Sequence, residues 1–426
     1  MKKLGICLMN DSFPPVIDGV ANVVVNYADC LSGGLANPFV VAPDYPGAND
    51  NYPYPVIRYK SFNTEKLVGY RTGNPLNAGL LKKITAYDID IIHTHCPFVS
   101  NYLARMVREL TSAPVIMTYH TKYDIDIANQ LKLKTMQETA IKKIVENISA
   151  CDEVWTVSRG AGENLRSLGY DGEYIVMENG VDFPRGKAEE EQIAKIDELH
   201  HIRKDVPVFM FAGRMMWYKG QKIIIDALSL LKKAGKEFFM IFVGGGLEEK
   251  EIKKYVSEKE IGENCVFTGA VEDRELLRAY FSRADLFLFP STFDTNGIVV
   301  REAAACALAS VLVKDSCAAE GVTDKQNGFL IEENAFSMFE CLKERCDNIE
   351  NTRKVGCRAL EELYISWEDS VKRAYDRYLY VYEKYTGLRR HSAVKREKNT
   401  QTAVEFLENI DKLKPEKREK QQNKEE

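Results

Sequence analysis

The run FPSTFDTNGIVVREAAAC (289–306) carries two carboxylates, Asp294 and Glu302, eight residues apart. Asp294 lies in a turn-forming stretch, and Glu302 sits on an alanine-rich segment that reads as a helix. The pair Asn296-Gly297 between them lets the backbone turn, so that amides at the helix start face an anion. The segment around Glu302 is apolar nearly all round, which places this acid where the helix meets a cleft. A carboxylate there can accept two hydrogen bonds from vicinal hydroxyls, as an acid does for ribose in dinucleotide folds. Asp294 then lies just outside the anion, beside whatever the anion carries. The plainer account has Asp294 or Thr295 capping a helix and Glu302 on its surface. The first account describes a nucleotide-sugar site.

A second stretch supplies cations. In AGRMMWYKGQKIIIDAL (212–228), Arg214 leaves the end of a strand and Lys219-Gly220 starts the next helix. Arginine grips two oxygens and lysine acts as a point charge, so the pair seats a diphosphate; a solvated basic loop is the alternative. Glycines follow strands at Gly19, in NDSFPPVIDGVANVV, and at Gly244, in FVGGGLEEKEI. Gly19 opens a helix and permits close approach of a ligand. The glycines at 244–246 form either an anion nest or a tight packing turn. No G-x-G-x-x-G occurs, which argues against a dinucleotide dehydrogenase. His120 tops a strand in TYHT. His93 and His95 share one face of a strand, but no cysteine or acid nearby completes a metal set. The DID at 88–90 precedes a buried strand and is no metal-binding D-x-D.

These groups need a scaffold, and the hydrophobic pattern supplies one. Apolar strands at 3–9, 38–43, 89–95, 114–120, 153–158 and 174–179 alternate with helices at 19–33, 101–110 and 161–168. The pattern lapses over the charged stretch 183–205 and restarts with strands at 208–214, 238–246, 265–271, 286–291, 310–313 and 328–331. Alternation of this kind predicts two α/β domains with doubly wound parallel sheets. The expected boundaries are a first domain at 1–182, a linker at 183–206 and a second domain at 207–365. A long amphipathic helix at 366–387 and a charged, disordered tail at 388–426 follow. With 426 residues, 45% of them hydrophobic, and no bilayer-length apolar run, the chain reads as cytosolic. The ten cysteines form no C-x-x-C pair and read as reduced thiols. A net charge of −5 argues against nucleic acid as the partner.

Together, GRMMWYKG, VGGG and the acid-x7-Glu segment resemble the retaining GT-B glycosyltransferases of glycosyltransferase family 4. The fragments PPVIDGV, DIDIIHTHCPF, TYHT, WTVSRGAGENLRSLGY and ENGVD extend the likeness over roughly residues 1–385. The resemblance implies two Rossmann-like domains facing a cleft, the first binding the acceptor and the second a nucleotide-sugar donor. It also implies that the helix 366–387 packs back on the first domain. Carried over, Arg214 and Lys219 bind the donor diphosphate, Glu302 the ribose, and Asp294 the transferred sugar. The amides of Asn296, Gly297, Ile298 and Val299 contact sugar and phosphate, with Gly244 in the donor site. Gly19 borders the phosphate from the other domain, and His120 lies beside the reacting sugar. Asp294 stands where the family has glutamate, and the missing methylene bears on donor preference. No cofactor or metal is implied, because the cations and helix starts neutralise the diphosphate.

Within the family, 117–146 is similar to bacterial diacylglycerol glucosyltransferases. There Lys132, Lys134, Lys142 and Lys143 with Leu131, Leu133, Ile141 and Ile144 would meet an anionic membrane; a solvated helix packed on the sheet is the alternative. UDP-glucose and a membrane lipid are the substrates this implies. A polysaccharide or other glycan acceptor, or a non-catalytic sugar-nucleotide-binding protein, are the competing expectations.

Overall fold

The structure, a computed structural model, describes residues 3–16, 18–64, 71–75 and 77–392. Two parallel sheets organise the chain. The first contains β1 (Gly5–Met9), β2 (Asn37–Pro43), β3 (Val56–Tyr59), β6 (Ile91–Thr94), β7 (Val115–Tyr119), β8 (Glu153–Thr156) and β9 (Tyr174–Val176), in the order β3-β2-β1-β6-β7-β8-β9. Two short strands, β4 (Ser61–Phe62) and β5 (Thr72–Gly73), form a separate antiparallel pair. The second sheet contains β10 (Val208–Ala212), β11 (Phe239–Val243), β12 (Cys265–Gly269), β13 (Leu286–Phe289), β14 (Ser310–Val313) and β15 (Phe329–Ile331), in the order β12-β11-β10-β13-β14-β15.

Both orders share one feature. The chain adds strands outward on one side of β1 or β10, then returns to the other side of that same strand with β6 or β13. Loops leaving the carboxyl ends of β1 and β6, or of β10 and β13, therefore diverge and leave a crevice, the usual ligand position in open α/β sheets. Every expected strand of the second sheet is present. In the first, β3 was not anticipated: four residues between Pro55 and Lys60 pair in parallel with β2.

By compactness the chain divides into two units. Of the described residues, one unit comprises those within Met1–Thr118, Lys142–Trp155 and 374–392; the other comprises Tyr119–Ile141 and Thr156–Arg373. The second unit has a phenylalanine-rich core in which Phe209, Phe211, Phe242 and Phe287 are fully buried. In the first, Cys7, Met9, Val41, Ile92 and Val115 fill one face of the sheet.

The final helix, Trp367–Ser392, runs through the expected segment and into the start of the expected tail, whose remainder lies outside the described residues. Its Tyr378 is buried, and its hydroxyl meets His93 Nδ1 at 2.5 Å. The other ring nitrogen of His93 meets Thr118 Oγ1 at 2.7 Å, so two hydroxyls occupy this imidazole. Among the described residues no cluster of three or more His, Cys, Asp or Glu is placed to hold a metal ion.

One expectation fails on the helix Lys134–Ser149. Ile144, read as apolar surface, is buried with Val145 and Ile148, because it falls on the stripe that faces the core. The exposed apolar side chains lie at its start, with Leu133 62% and Met136 50% exposed. No helix among the described residues is long and apolar enough to cross a membrane.

Candidate active site

The second sheet's crevice gathers most of the singled-out residues. After β10 the chain makes a short turn through Arg214 and a 3-10 segment, Trp217–Lys219, before the helix Gln221–Lys233. After β13 it makes the turn 290–297 before the helix Ile298–Ala305. Lys219 Nζ crosses from the first turn to the second and donates to Asp294 Oδ1 at 2.6 Å. Ser291 Oγ donates to the other oxygen, Oδ2, also at 2.6 Å. The lysine side chain is only 9% exposed and the aspartate 22%. The ammonium also lies 5.5 Å from the ring centre of Phe293 and 5.7 Å from that of Tyr218. Arg214 is exposed, and its guanidinium stands 6.0 Å from the Tyr218 ring.

The helix Ile298–Ala305 begins without a capping side chain. Gly297, in the left-handed region at φ 60°, occupies the cap position, so neither Asp294 nor Thr295 caps the helix. Six other helices among the described residues, starting at Gly19, Ala78, Arg159, Arg274, Ala335 and Ile349, have a first-turn amide bound by Asp18, Asn77, Ser158, Asp273, Asn334 and Asn348, whereas the neighbouring helix Gln221–Lys233 also starts uncapped, at Gly220. The contrast matters because unbound helix-start amides attract anions. Asn296 is buried, and its side-chain nitrogen has no hydrogen-bond partner.

Glu302 lies one turn along this helix and is not solvated surface. Its side chain is 12% exposed, and Oε1 accepts from Arg274 at 2.7 Å. Arg274 also pairs with Asp182 and stacks over Phe183 at 4.3 Å. Burial pushes the Glu302 carboxyl above its ordinary value, and Arg274 draws it back. The same helix carries Arg301, which is buried, donates to Leu363 O at 2.9 Å and pairs with Glu178.

The glycine turn after β11 is a packing device. Gly244 has φ 124°, and a Cβ there would lie 2.0 Å from the carbonyl oxygen of Gly213. A Cβ on Gly246 would lie 2.4 Å from Met215 O, whereas one on Gly245 would meet nothing nearer than 3.8 Å. The turn is therefore pressed against the loop that carries Arg214. Met215 N donates to Gly245 O at 3.0 Å, and Trp217 N donates to Glu248 Oε2 at 2.6 Å.

His120 belongs to the same unit. Its carbonyl accepts from Thr295 Oγ1 at 2.6 Å, so the residue after β7 touches the turn carrying Asp294. Lys122 Nζ donates to Thr292 O at 3.1 Å. Burial lowers the His120 imidazole to about 3. The ring is neutral at physiological pH. Below pH 6.5 the unfolded chain takes a proton that the folded chain refuses until about 3. Stability should thus fall by about 1.4 kcal/mol per pH unit across that window from this residue alone. Denaturant unfolding of wild type and His120→Gln between neutral and mildly acidic pH checks this; equal slopes would refute it.

Gly19 is in the first unit, as the first residue of the helix Gly19–Cys30, and a Cβ there would meet nothing within 4 Å. Its helix is capped by Asp18, which accepts from Ala21 N at 3.3 Å and from Ser12 Oγ at 2.7 Å.

The sequence reading missed Ser291, Arg274 and the buried Arg301. Arg274 left a signal. It is the first residue of its helix, where the dipole disfavours a cation, so a specific acidic partner was called for.

Comparison with known proteins bears directly on this site. The family model Glycosyltransferase Family 4 matches residues 17–185, and Glycosyl transferases group 1 matches residues 192–352. The chain is a glycosyltransferase. Among curated relatives, the alpha-monoglucosyldiacylglycerol synthase of Acholeplasma laidlawii is 24% identical over 77% of this chain and 85% of its own length. The enzyme of the same name from Streptococcus pneumoniae is 23% identical over 88% and 85%. Among solved structures, the sucrose-phosphate synthase of Thermosynechococcus elongatus superposes with a TM-score of 0.73 at 18% identity, covering 90% of this chain and all of that one. Anabaena HepE in complex with UDP gives 0.70 at 18% identity, covering 88% and 99%. This glycosyltransferase has the GT-B fold.

Proposed function

We propose that this glycosyltransferase moves glucose from UDP-glucose to a membrane lipid such as diacylglycerol, with retention of configuration and without a metal ion. The observation that carries the donor half is the Lys219–Asp294 pair beside the uncapped start of the helix Ile298–Ala305. A cation and unbound amides together suit a diphosphate, and an acid next to them suits the hydroxyls of the attached sugar.

In this reading Lys219, Arg214 and the amides of Asn296, Gly297, Ile298 and Val299 hold the diphosphate. Glu302 accepts the ribose hydroxyls with the oxygen that Arg274 leaves unengaged. The sugar C1–O bond to phosphate breaks and the bond from the acceptor oxygen forms on the same face. The departing phosphate oxygen takes the acceptor's proton. Charge builds on the diphosphate as the bond breaks, so Lys219 and Arg214 act more strongly on the transition state than on the ground state. Neutral His120 offers a hydrogen bond beside the sugar without adding charge.

The activities for which the relatives are named support glucose and diacylglycerol, and the UDP bound in a structural neighbour supports the base. Exposed Leu133 and Met136 beside Lys132 and Lys134 supply an apolar and basic spot for a lipid surface.

The test supplies purified chain with radiolabelled UDP-glucose, GDP-mannose or UDP-N-acetylglucosamine, with diacylglycerol micelles or a glucan. Organic-soluble product from UDP-glucose alone, in the α configuration by NMR, is the expected result. Product only on the glucan would overturn the lipid acceptor, and turnover of another donor would overturn glucose. Glu302→Ala should raise the donor KM at least about tenfold, since a carboxylate's hydrogen bonds to a ligand are each worth about 1.5–3 kcal/mol. An unchanged donor KM would remove Glu302 from the site.

A further inference from the structure

The crevice of the first sheet has a polar group of its own. Asp11 follows β1, and the helix Val99–Thr111 follows β6, so the two flank the point where the strand order reverses. Asp11 Oδ1 accepts from Ser100 N at 2.7 Å and serves as cap to a helix that has no cap of its own. That duty occupies one oxygen. The other, Oδ2, is buried with no hydrogen-bond partner. Asp11 as a whole is 5% exposed.

Tyr59, the last residue of β3, is 4% exposed, and its hydroxyl likewise has no partner. The two groups are within electrostatic reach: the charge of Asp11 adds to burial in raising the phenol's pKa. Burial also pushes Asp11 up to about 6, against hydrogen bonds to its carboxylate from the Cys96 and Ser100 side chains and the Ser100 and Val99 backbone. Two buried polar atoms without partners, Asp11 Oδ2 and the Tyr59 hydroxyl oxygen, at the edge where such sheets bind ligands, need an explanation beyond capping. An asparagine or serine would cap the helix equally well.

We infer that Asp11 Oδ2 and the Tyr59 hydroxyl hold the hydroxyl groups of the neutral acceptor. A carboxylate repels a diphosphate and accepts from an alcohol, so this pair selects against the donor. The inference rests on the chain being a glycosyltransferase and deepens the proposed function by placing its acceptor. It does not depend on the acceptor being a lipid.

The surrounding hydrogen bonds fix the position of the carboxylate. Asn10 Nδ2 donates to Ser12 O at 2.9 Å, and Ser12 in turn binds the helix cap Asp18. His95 N donates to Met9 O at 2.9 Å. The loop after β1 is thus tied to the helices on both sides of the crevice.

The test is a KM comparison on the full chain with UDP-glucose. Asp11→Asn keeps a carbonyl oxygen for Ser100 N and replaces the other oxygen with a donor. The expected result is an acceptor KM raised about tenfold to a hundredfold, with the donor KM and the UDP dissociation constant unchanged. Tyr59→Phe removes one oxygen only and should raise the acceptor KM severalfold; it decides the matter if Asp11→Asn fails to fold. Dioleoylglycerol in mixed micelles is the first probe. If wild type does not glycosylate it, the lipid reading fails, and the same comparison is made on the glucan acceptor. An unchanged acceptor KM, or a donor KM that rises in step, overturns the inference on either acceptor.

Discussion

Lys219→Ala is expected to lower transfer by about 10²- to 10³-fold, the usual cost of removing one group that stabilises a developing oxyanion. The lysine is a buried cation at the second crevice, and it is already paired with Asp294 before any donor arrives. That pairing makes a second, opposite expectation. Asp294→Asn removes the competing negative charge, so UDP alone should bind more tightly while sugar transfer falls. A pair whose two members shift nucleotide affinity in opposite directions is the signature of a cation shared between an acid and a diphosphate. Isothermal titration with UDP and initial rates with UDP-glucose measure the two effects separately. Lys219→Ala at wild-type rates, or Asp294→Asn with weaker UDP binding, would sink this account. A stability check belongs beside both. The pair is partly solvated, so the loss on breaking it should stay below the 3–5 kcal/mol of a fully buried pair.

Much of this was visible in the sequence because the second domain writes its strands as uninterrupted apolar runs. The strands VFMFA, MIFV and LFLF within these runs are buried on both faces, and such runs leave little room for another reading. β3 was missed because it is short and set among prolines and polar residues, where a four-residue strand carries no periodic signal. Ile144 was misplaced for a related reason: charges and apolar residues alternate through 131–144, and the pattern does not say which stripe faces inward. The individual site residues were readable from their turns, but their pairing was not. Lys219 and Asp294 are 75 positions apart, and only the adjacency of β10 and β13 brings them to 2.6 Å. Asp11 sat within a quoted motif, yet its type and place gave no hint that one of its oxygens would be left without a partner.

The two sheets use their crevices differently, and the chemistry explains why. At the second crevice the helix start is uncapped and a lysine stands beside it, which suits an anion. At the first, a carboxylate occupies the helix start after β6, which excludes one. Helix starts are natural anion sites, so capping one with aspartate and leaving the other open fits the two similar scaffolds to the opposite ligands proposed for them. With the neutral acceptor proposed above, this division keeps the charged donor and the acceptor from exchanging places.

Gly244→Ala should destabilise the chain by about 3 kcal/mol or more. Two penalties combine. The backbone at φ 124° is closed to an L side chain, and the added carbon would stand 2.0 Å from the Gly213 carbonyl oxygen. Neither can relax alone, because Gly213 N is bound to Val243 O at 3.0 Å and Gly244 N to Gly269 O at 2.8 Å. Gly245→Ala is the control: the nearest atom would be 3.8 Å away and its φ is ordinary, so stability should change by no more than about 0.5 kcal/mol. Urea denaturation of both variants makes the comparison. Equal stability would show that the turn is not pressed against the Arg214 loop, and the glycines would then need a ligand to explain them. The expected asymmetry instead separates two roles within one motif. Gly244 and Gly246 set the distance between β11 and the loop after β10, and Gly245 is the position with room for a donor. A rise in donor KM from Gly245→Ala at unchanged stability would place the diphosphate beside it.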